Sequence, residues 1–90
     1  MYKVIYTTKF KKQRKLLKSR NYDITLLDET IGKLARGETL PEAYRDHALQ
    51  GKWKGYRDCH ILPDWILIYK IDKGILTLVL SETGSHSDLF

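Results

Sequence analysis

The stretch Trp65-Ile66-Leu67-Ile68-Tyr69-Lys70-Ile71 constrains the fold of this chain more than any other feature. It is almost wholly apolar and sits between two turn signals, Leu62-Pro63-Asp64 before it and Asp72-Lys73-Gly74 after it. Side chains of a strand alternate between two faces, so an unbroken apolar run needs cover on both. The expectation is a central strand, whose neighbours and cover the rest of the chain must supply. Asp72-Lys73-Gly74 is a tight hairpin signal leading into a last strand over residues 75–80. Residues 56–61 read as the strand before the Pro63 turn, and Gly51-Lys52-Trp53-Lys54-Gly55 as its approach.

The first half of the chain can provide the cover. Tyr2-Lys3-Val4-Ile5-Tyr6 is rich in β-formers and opens the chain as a strand. Thr7 or Thr8 can cap a helix running to about residue 19, with Phe10, Leu16 and Leu17 as a narrow apolar stripe. Asn21-Tyr22-Asp23 ends it. A second helix is expected over residues 24–36, because Ile24, Leu27, Ile31 and Leu34 recur at helical spacing and Gly37 follows as a C-terminal cap. The resulting order is β-α-α-β-β-β with a short C-terminal tail. It predicts an α+β fold in which two helices pack on one face of a mainly antiparallel, four-stranded sheet. Ninety residues suit a single domain, 1–90, with one modest core.

Charge and composition narrow the function. No apolar run approaches the roughly 18–20 residues that cross a bilayer, so no membrane partner is expected. The N-terminus lacks the apolar stretch of a signal peptide, which makes the cytoplasm the expected location. A single cysteine, Cys59, permits no internal disulfide. It cannot meet His60 as a catalytic pair, because adjacent strand residues face opposite ways, and it reads as a small buried thiol. The net charge of +5 arises in residues 1–20, which carry eight Lys or Arg and no acid, whereas the remainder holds eight basic against eleven acidic groups. An unopposed basic segment of this kind binds phosphate backbones or acidic partner segments.

The three histidines are all polar in context. His47 lies in Tyr44-Arg45-Asp46-His47, His60 in Tyr56-Arg57-Asp58-Cys59-His60, and His86 in Gly84-Ser85-His86-Ser87-Asp88-Leu89-Phe90. One such histidine is ordinarily a solvated or structural residue; three in these settings point to proton transfer or anion binding. His60 ends a strand and Asp64 heads the next, so both reach one end of the sheet, and His47 and His86 can approach it from the flanking segments. Asp58 and Tyr56 share the His60 face, whereas Arg57 and Cys59 point away along the strand. Lys52, Lys54 and Arg57 add positive charge around this region. Several imidazoles, a carboxylate and cations suit cleavage of RNA by its own 2′-hydroxyl, which needs a base, an acid and charge neutralisation at phosphorus, but no cofactor. Zinc ligation by His47, His60, Asp64 and His86 is the competing chemistry. Their spacing matches no compact ligand motif and the lysines oppose a cation, so no metal is expected. Trp65 and Phe90 could stack on unpaired bases, with core packing as the alternative for Trp65, while Trp53 is assigned to packing.

These segments carry a resemblance. Asp46-His47-Ala48-Leu49-Gln50-Gly51-Lys52-Trp53-Lys54-Gly55-Tyr56-Arg57-Asp58-Cys59-His60, then Pro63-Asp64-Trp65-Ile66-Leu67-Ile68-Tyr69, then Thr83-Gly84-Ser85-His86-Ser87-Asp88-Leu89-Phe90 closely resemble the YafQ-type toxins of the RelE/ParE superfamily. The resemblance implies a RelE-like fold and a ribosome-dependent mRNA endoribonuclease, the toxin of a bacterial type II toxin–antitoxin pair. It implies catalytic roles for His47, His60, Asp64 and His86, with His86 as proton donor to the leaving oxygen and either His47 or Asp64 as base. Trp65 and Phe90 fall on family site positions. The implied partners are a cognate antitoxin, mRNA on the ribosome and, through the antitoxin complex, operator DNA. One position departs: the family commonly has an arginine two residues before the glycine of Gly84-Ser85-His86, and here stands Glu82, which would repel the scissile phosphate. Two other readings use the same scaffold: a non-catalytic ParE-like toxin that needs no histidines, and a nucleic-acid-binding regulator acting through the basic first helix.

Overall fold

The computed structural model describes residues 1–90, and its elements follow the expected order with two additions. Strand β1 (Lys3–Tyr6) leads into helix α1 (Thr8–Ser19), and α2 (Ile24–Ala35) follows after a short break. A two-residue strand β2 (His47–Ala48) precedes β3 (Arg57–Leu62), β4 (Trp65–Asp72), β5 (Thr77–Gly84) and a four-residue helix α3 (His86–Leu89). Single 3-10 turns at Glu42–Tyr44 and Gly51–Trp53 shape the connections on either side of β2.

Capping fixes both long helices where the sequence allows it. The Thr7 hydroxyl accepts the Phe10 N–H at 3.1 Å and also reaches the Leu80 carbonyl at 3.0 Å, so one side chain starts α1 and pins it to β5. Asp23 caps α2 by accepting the Thr25 N–H. The expected α2 stripe is buried throughout. The α1 stripe is narrower than expected, because Phe10 and Leu17 are buried while Leu16 stays 48% exposed. Leu16 and Leu17 stand about 100° apart around the helix, and only one of them can face the sheet.

The sheet has five strands and is mixed, a correction to the expected four-stranded and mainly antiparallel arrangement. Its order is β1-β5-β4-β3-β2, with β1 parallel to β5 and all other pairs antiparallel. The extra strand is the His47–Ala48 segment, which pairs with Asp58 and Arg57 and is too short for an alternating pattern to reveal. Strand β5 also begins and ends later than expected. The Asp72 carboxylate accepts the Gly74 and Ile75 N–H groups, holding Ile75 and Leu76 in an exposed loop. A register shift opposite Ile68/Tyr69 then lets β5 continue to Gly84.

Strand β4 is the centre of the sheet, as the apolar run demanded, with Trp65 to Tyr69 all buried. Cys59, Trp65, Leu67, Tyr69, Leu78 and Leu80 join the residues of α1 and α2 in one core cluster. The opposite face of the same strands carries Asp58 and His60 on β3 beside Ile68 and Ile66 on β4. Both helices therefore cover one face, and the chemistry-bearing residues are left on the other.

Candidate active site

Asp58 is the pivot of that open face. It is 2% exposed, lies directly across from His47 in the β2–β3 pair, and feels the charge of His47, His60 and His86 alike. Its Oδ1 is 3.1 Å from His47 Nδ1, but the ring N–H is turned toward the Arg45 carbonyl, 2.7 Å away. Asp58 Oδ1 consequently stays buried without a hydrogen bond. Burial pushes the Asp58 carboxyl above the ordinary carboxylate range, and the three imidazoles pull it partly back. A carbonyl can only accept, so neutral His47 carries its proton on Nδ1 and keeps Nε2 as a free lone pair. His60 is held the same way by the Pro63 carbonyl at 3.1 Å from Nδ1. The shift in strand register between His60 and Leu62 stands beside this contact.

His86 completes the group from the C-terminal end. Its ring centroid is 5.4 Å from that of His60, and its Nδ1 lies 3.7 Å from Asp64 Oδ1. The same Asp64 oxygen accepts the His86 backbone N–H at 3.5 Å. The short α3 is held by Ser85 and Asp88, each side chain bonding the other's backbone N–H, an arrangement that ties down free amides at a helix start. Gly84 makes this possible, since a Cβ there would stand 3.3 Å from Asp88 Oδ2. Phe90 lies 5.9 Å from the His86 ring, Trp53 is 6.4 Å from Phe90, and Tyr56 is 5.4 Å from Trp53. A row of five rings thus runs from Tyr56 to His60, with Trp53 wedged behind the C-terminal residue. Trp53 does pack, as expected, although its buried indole N–H lacks an acceptor.

The structure gathers His47, His60, Asp64, His86 and Phe90 on one side of the sheet. Lys52 and Lys54 are exposed on the turn that carries Trp53. It takes two candidates elsewhere. Trp65 is 1% exposed in the helix-side core, edge-on to Tyr22 at 5.1 Å and donating its indole N–H to Thr83, so no base can stack on it. Arg57 also faces the helix side, where it pairs with Asp46 at 3.3 Å, and Asp46 in turn accepts the Tyr69 hydroxyl. Asp58 was absent from the candidate set, although alternation along β3 already placed it on the His60 face. Glu82 is 6% exposed and stands opposite Ile68 in the cross-strand row that carries Asp58, but α1 engages it, with Lys9 at 3.0 Å and Gln13 at 3.3 Å, so its charge is offset by Lys9. Cys59 is fully buried on the core side, with its thiol pushed far up by desolvation. No three His, Cys, Asp or Glu side chains are arranged to hold a metal ion.

The chain has well-defined relatives. The family described as the bacterial toxin YafQ of type II toxin–antitoxin systems matches residues 2–90. The mRNA interferase toxin YafQ of Escherichia coli K12 is 43% identical over 86 residues, 94% of this chain and 91% of that protein. A crystal structure of the E. coli DinJ–YafQ complex superimposes with a TM-score of 0.92 at 41% identity, covering 100% of this chain and 99% of that one. A metal-bound toxin from Helicobacter pylori gives a TM-score of 0.94 at 41% identity over the full length of both chains. The donor groups here fall into separate His–Asp pairs, His47 with Asp58 and His86 with Asp64.

Proposed function

The chain belongs to the YafQ toxin family of bacterial type II toxin–antitoxin systems and is an mRNA interferase, and we propose that it cuts ribosome-bound mRNA by attack of the 2′-hydroxyl on the adjacent phosphorus. The observation that carries this reading is the placing of two His–Asp pairs, His47–Asp58 and His86–Asp64, around His60 on one sheet face. His47 is the base. Its Nδ1–H is engaged by the Arg45 carbonyl beside Asp58, which presents Nε2 to take the 2′-hydroxyl proton and stabilises the imidazolium that results. His86 is the acid, because its ring stands at ion-pair distance from Asp64 and beside His60 near the C-terminal end of the chain, where a leaving 5′-oxygen can meet it. Asp64 is the weaker candidate for base, being committed to His86. His60, its Nδ1–H held by the Pro63 carbonyl, donates from Nε2 in its protonated form to a non-bridging oxygen of the pentacoordinate phosphorus, and Phe90, 57% exposed, offers a face on which a base can stack.

As a toxin of this class the protein has a cognate antitoxin as partner, and we assign the basic α1 as a surface that attracts an acidic antitoxin segment. Only Lys9 and Arg14 among its cations are ion-paired, which leaves Lys11, Lys12, Lys15 and Lys18 available. Contact with operator DNA would follow through that complex, and the cytoplasm is the compartment where such a toxin meets ribosomes. The test is cleavage of a defined mRNA with and without ribosomes, by the native chain and by His86→Gln. Cutting that requires ribosomes and is lost in the variant supports the reading. Growth arrest by a triple His47, His60 and His86 variant would replace it with non-catalytic binding.

A further inference from the structure

The charge that builds up at phosphorus needs a cation, and the charged group on β5, Glu82, is an acid engaged by Lys9 and Gln13 of α1. We propose that Arg45 supplies it, as the phosphate-binding cation of this site. This rests on the reading of the histidine face given above. Arg57 is held by Asp46 on the helix side. Lys70 is drawn over the Tyr56 ring at 5.6 Å. Lys52 and Lys54 flank Trp53 in the chain, and Trp53 is separated from His60 by the Phe90 and His86 rings. Arg45, by contrast, is exposed, has no carboxylate at ion-pair distance, and shares with His60 the lining of a groove of about 520 Å³ floored by Ile61, Leu62 and Pro63.

Its backbone points to the same role. Arg45 holds a left-handed conformation, φ 48°, that side chains other than glycine rarely adopt. That conformation ends the Glu42–Tyr44 turn and aims the Arg45 carbonyl at His47 Nδ1, 2.7 Å away. One residue thereby orients the base through its main chain and directs a planar, permanently charged fork into the groove beside His60. Guanidinium matches two oxygens of a phosphodiester at once, which lysine cannot do. The ligand class is an RNA phosphodiester, and its recognition here is independent of base sequence.

The experiment is single-turnover cleavage of ribosome-bound mRNA at saturating toxin by Arg45→Gln, Arg45→Lys and Arg45→Gly, with His86→Gln alongside. Glycine accepts the left-handed backbone and keeps the carbonyl on His47, so Arg45→Gly removes the cation without straining the turn. The expected result is a loss on the order of 10²-fold in rate for both Gln and Gly variants, with smaller loss for Lys and an unchanged unfolding midpoint. Cleavage by Arg45→Gly at the native rate would overturn the assignment, as would equal losses in Lys and Gln variants accompanied by a lowered unfolding midpoint. If His86→Gln also cuts normally, the histidine site itself is wrong; if only that variant is slow, the error is confined to Arg45.

Discussion

The two faces of β3 and β4 are built from alternate residues of the same few turns of chain, yet they do opposite things. Toward the helices, Cys59, Trp65, Leu67 and Tyr69 are sealed in the core, and even the polar Arg57 and Asp46 are spent on each other. On the other side, Asp58 is equally buried but is left with an unsatisfied oxygen among three histidines. A polar group whose partners are complete holds the fold; one whose partners are incomplete stores a preference for a ligand or a proton. Position parity in a strand decides which of these a residue becomes. Trp65 and Arg57 show how strongly parity overrides residue type, since both look suited to binding RNA and both are turned to the helix side, Trp65 into the core and Arg57 onto Asp46.

That contrast is open to direct attack. The largest effect is expected at His86→Ala, which should slow cleavage by roughly 10²–10⁴-fold while thermal unfolding stays at the native midpoint. On the helix side the pattern inverts: Trp65→Ala should cost about 3–5 kcal/mol in denaturant unfolding, whereas Trp65→Phe, measured per folded molecule, should cut within a few-fold of the native rate. A milder Trp65→Ala loss, or a catalytic loss in Trp65→Phe, would bring Trp65 back to the site.

Asp58→Asn should combine both signatures, with cleavage reduced on the order of 10²-fold through misplacement of His47. Its stability effect has a definite sign. The folded state holds the Asp58 proton more tightly than the unfolded chain, whose carboxyl titrates near 3.8. Stability contributed by this group is therefore full below that pH and declines as pH rises through the raised folded value. Unfolding measured between acid and neutral pH should show this decline in the native chain and a flatter profile in Asp58→Asn. The smallest effect belongs to Glu82→Gln, which breaks the ion pair with the exposed Lys9 but keeps an amide in hydrogen-bond reach of Gln13, and should change stability by only about 1 kcal/mol. A large gain in cleavage in Glu82→Gln would mean that its charge does reach the phosphate.

The parts of the fold legible in advance were those with a strong period. The apolar run predicted β4, the 3-4-3 spacing predicted α2, and both appear with nearly the expected bounds. The hidden parts depend on single local contacts. His47 and Ala48 become a strand only because Asp58 and Arg57 offer an edge, and β5 reaches Glu82 only because an irregular register absorbs an extra residue. At the site, the convergence of His47, His60 and His86 was readable because His47 and His86 begin elements and His60 lies two residues from the end of β3. Asp58 was readable by alternation yet easily passed over, since its burial depends on what stands in front of it. The neutralisation of Glu82 by α1 was not readable, because it joins residues far apart in the chain.

The division of labour between His47 and His86 is open to a chemical test. An mRNA carrying a bridging sulfur in place of the 5′-oxygen at the cut leaves as a thiolate and needs no proton donor. On that substrate His86→Ala should regain a rate near that of the native chain, while His47→Ala stays slow. An His86→Ala variant equally slow with oxygen and sulfur leaving groups would contradict the assignment of His86 as the acid.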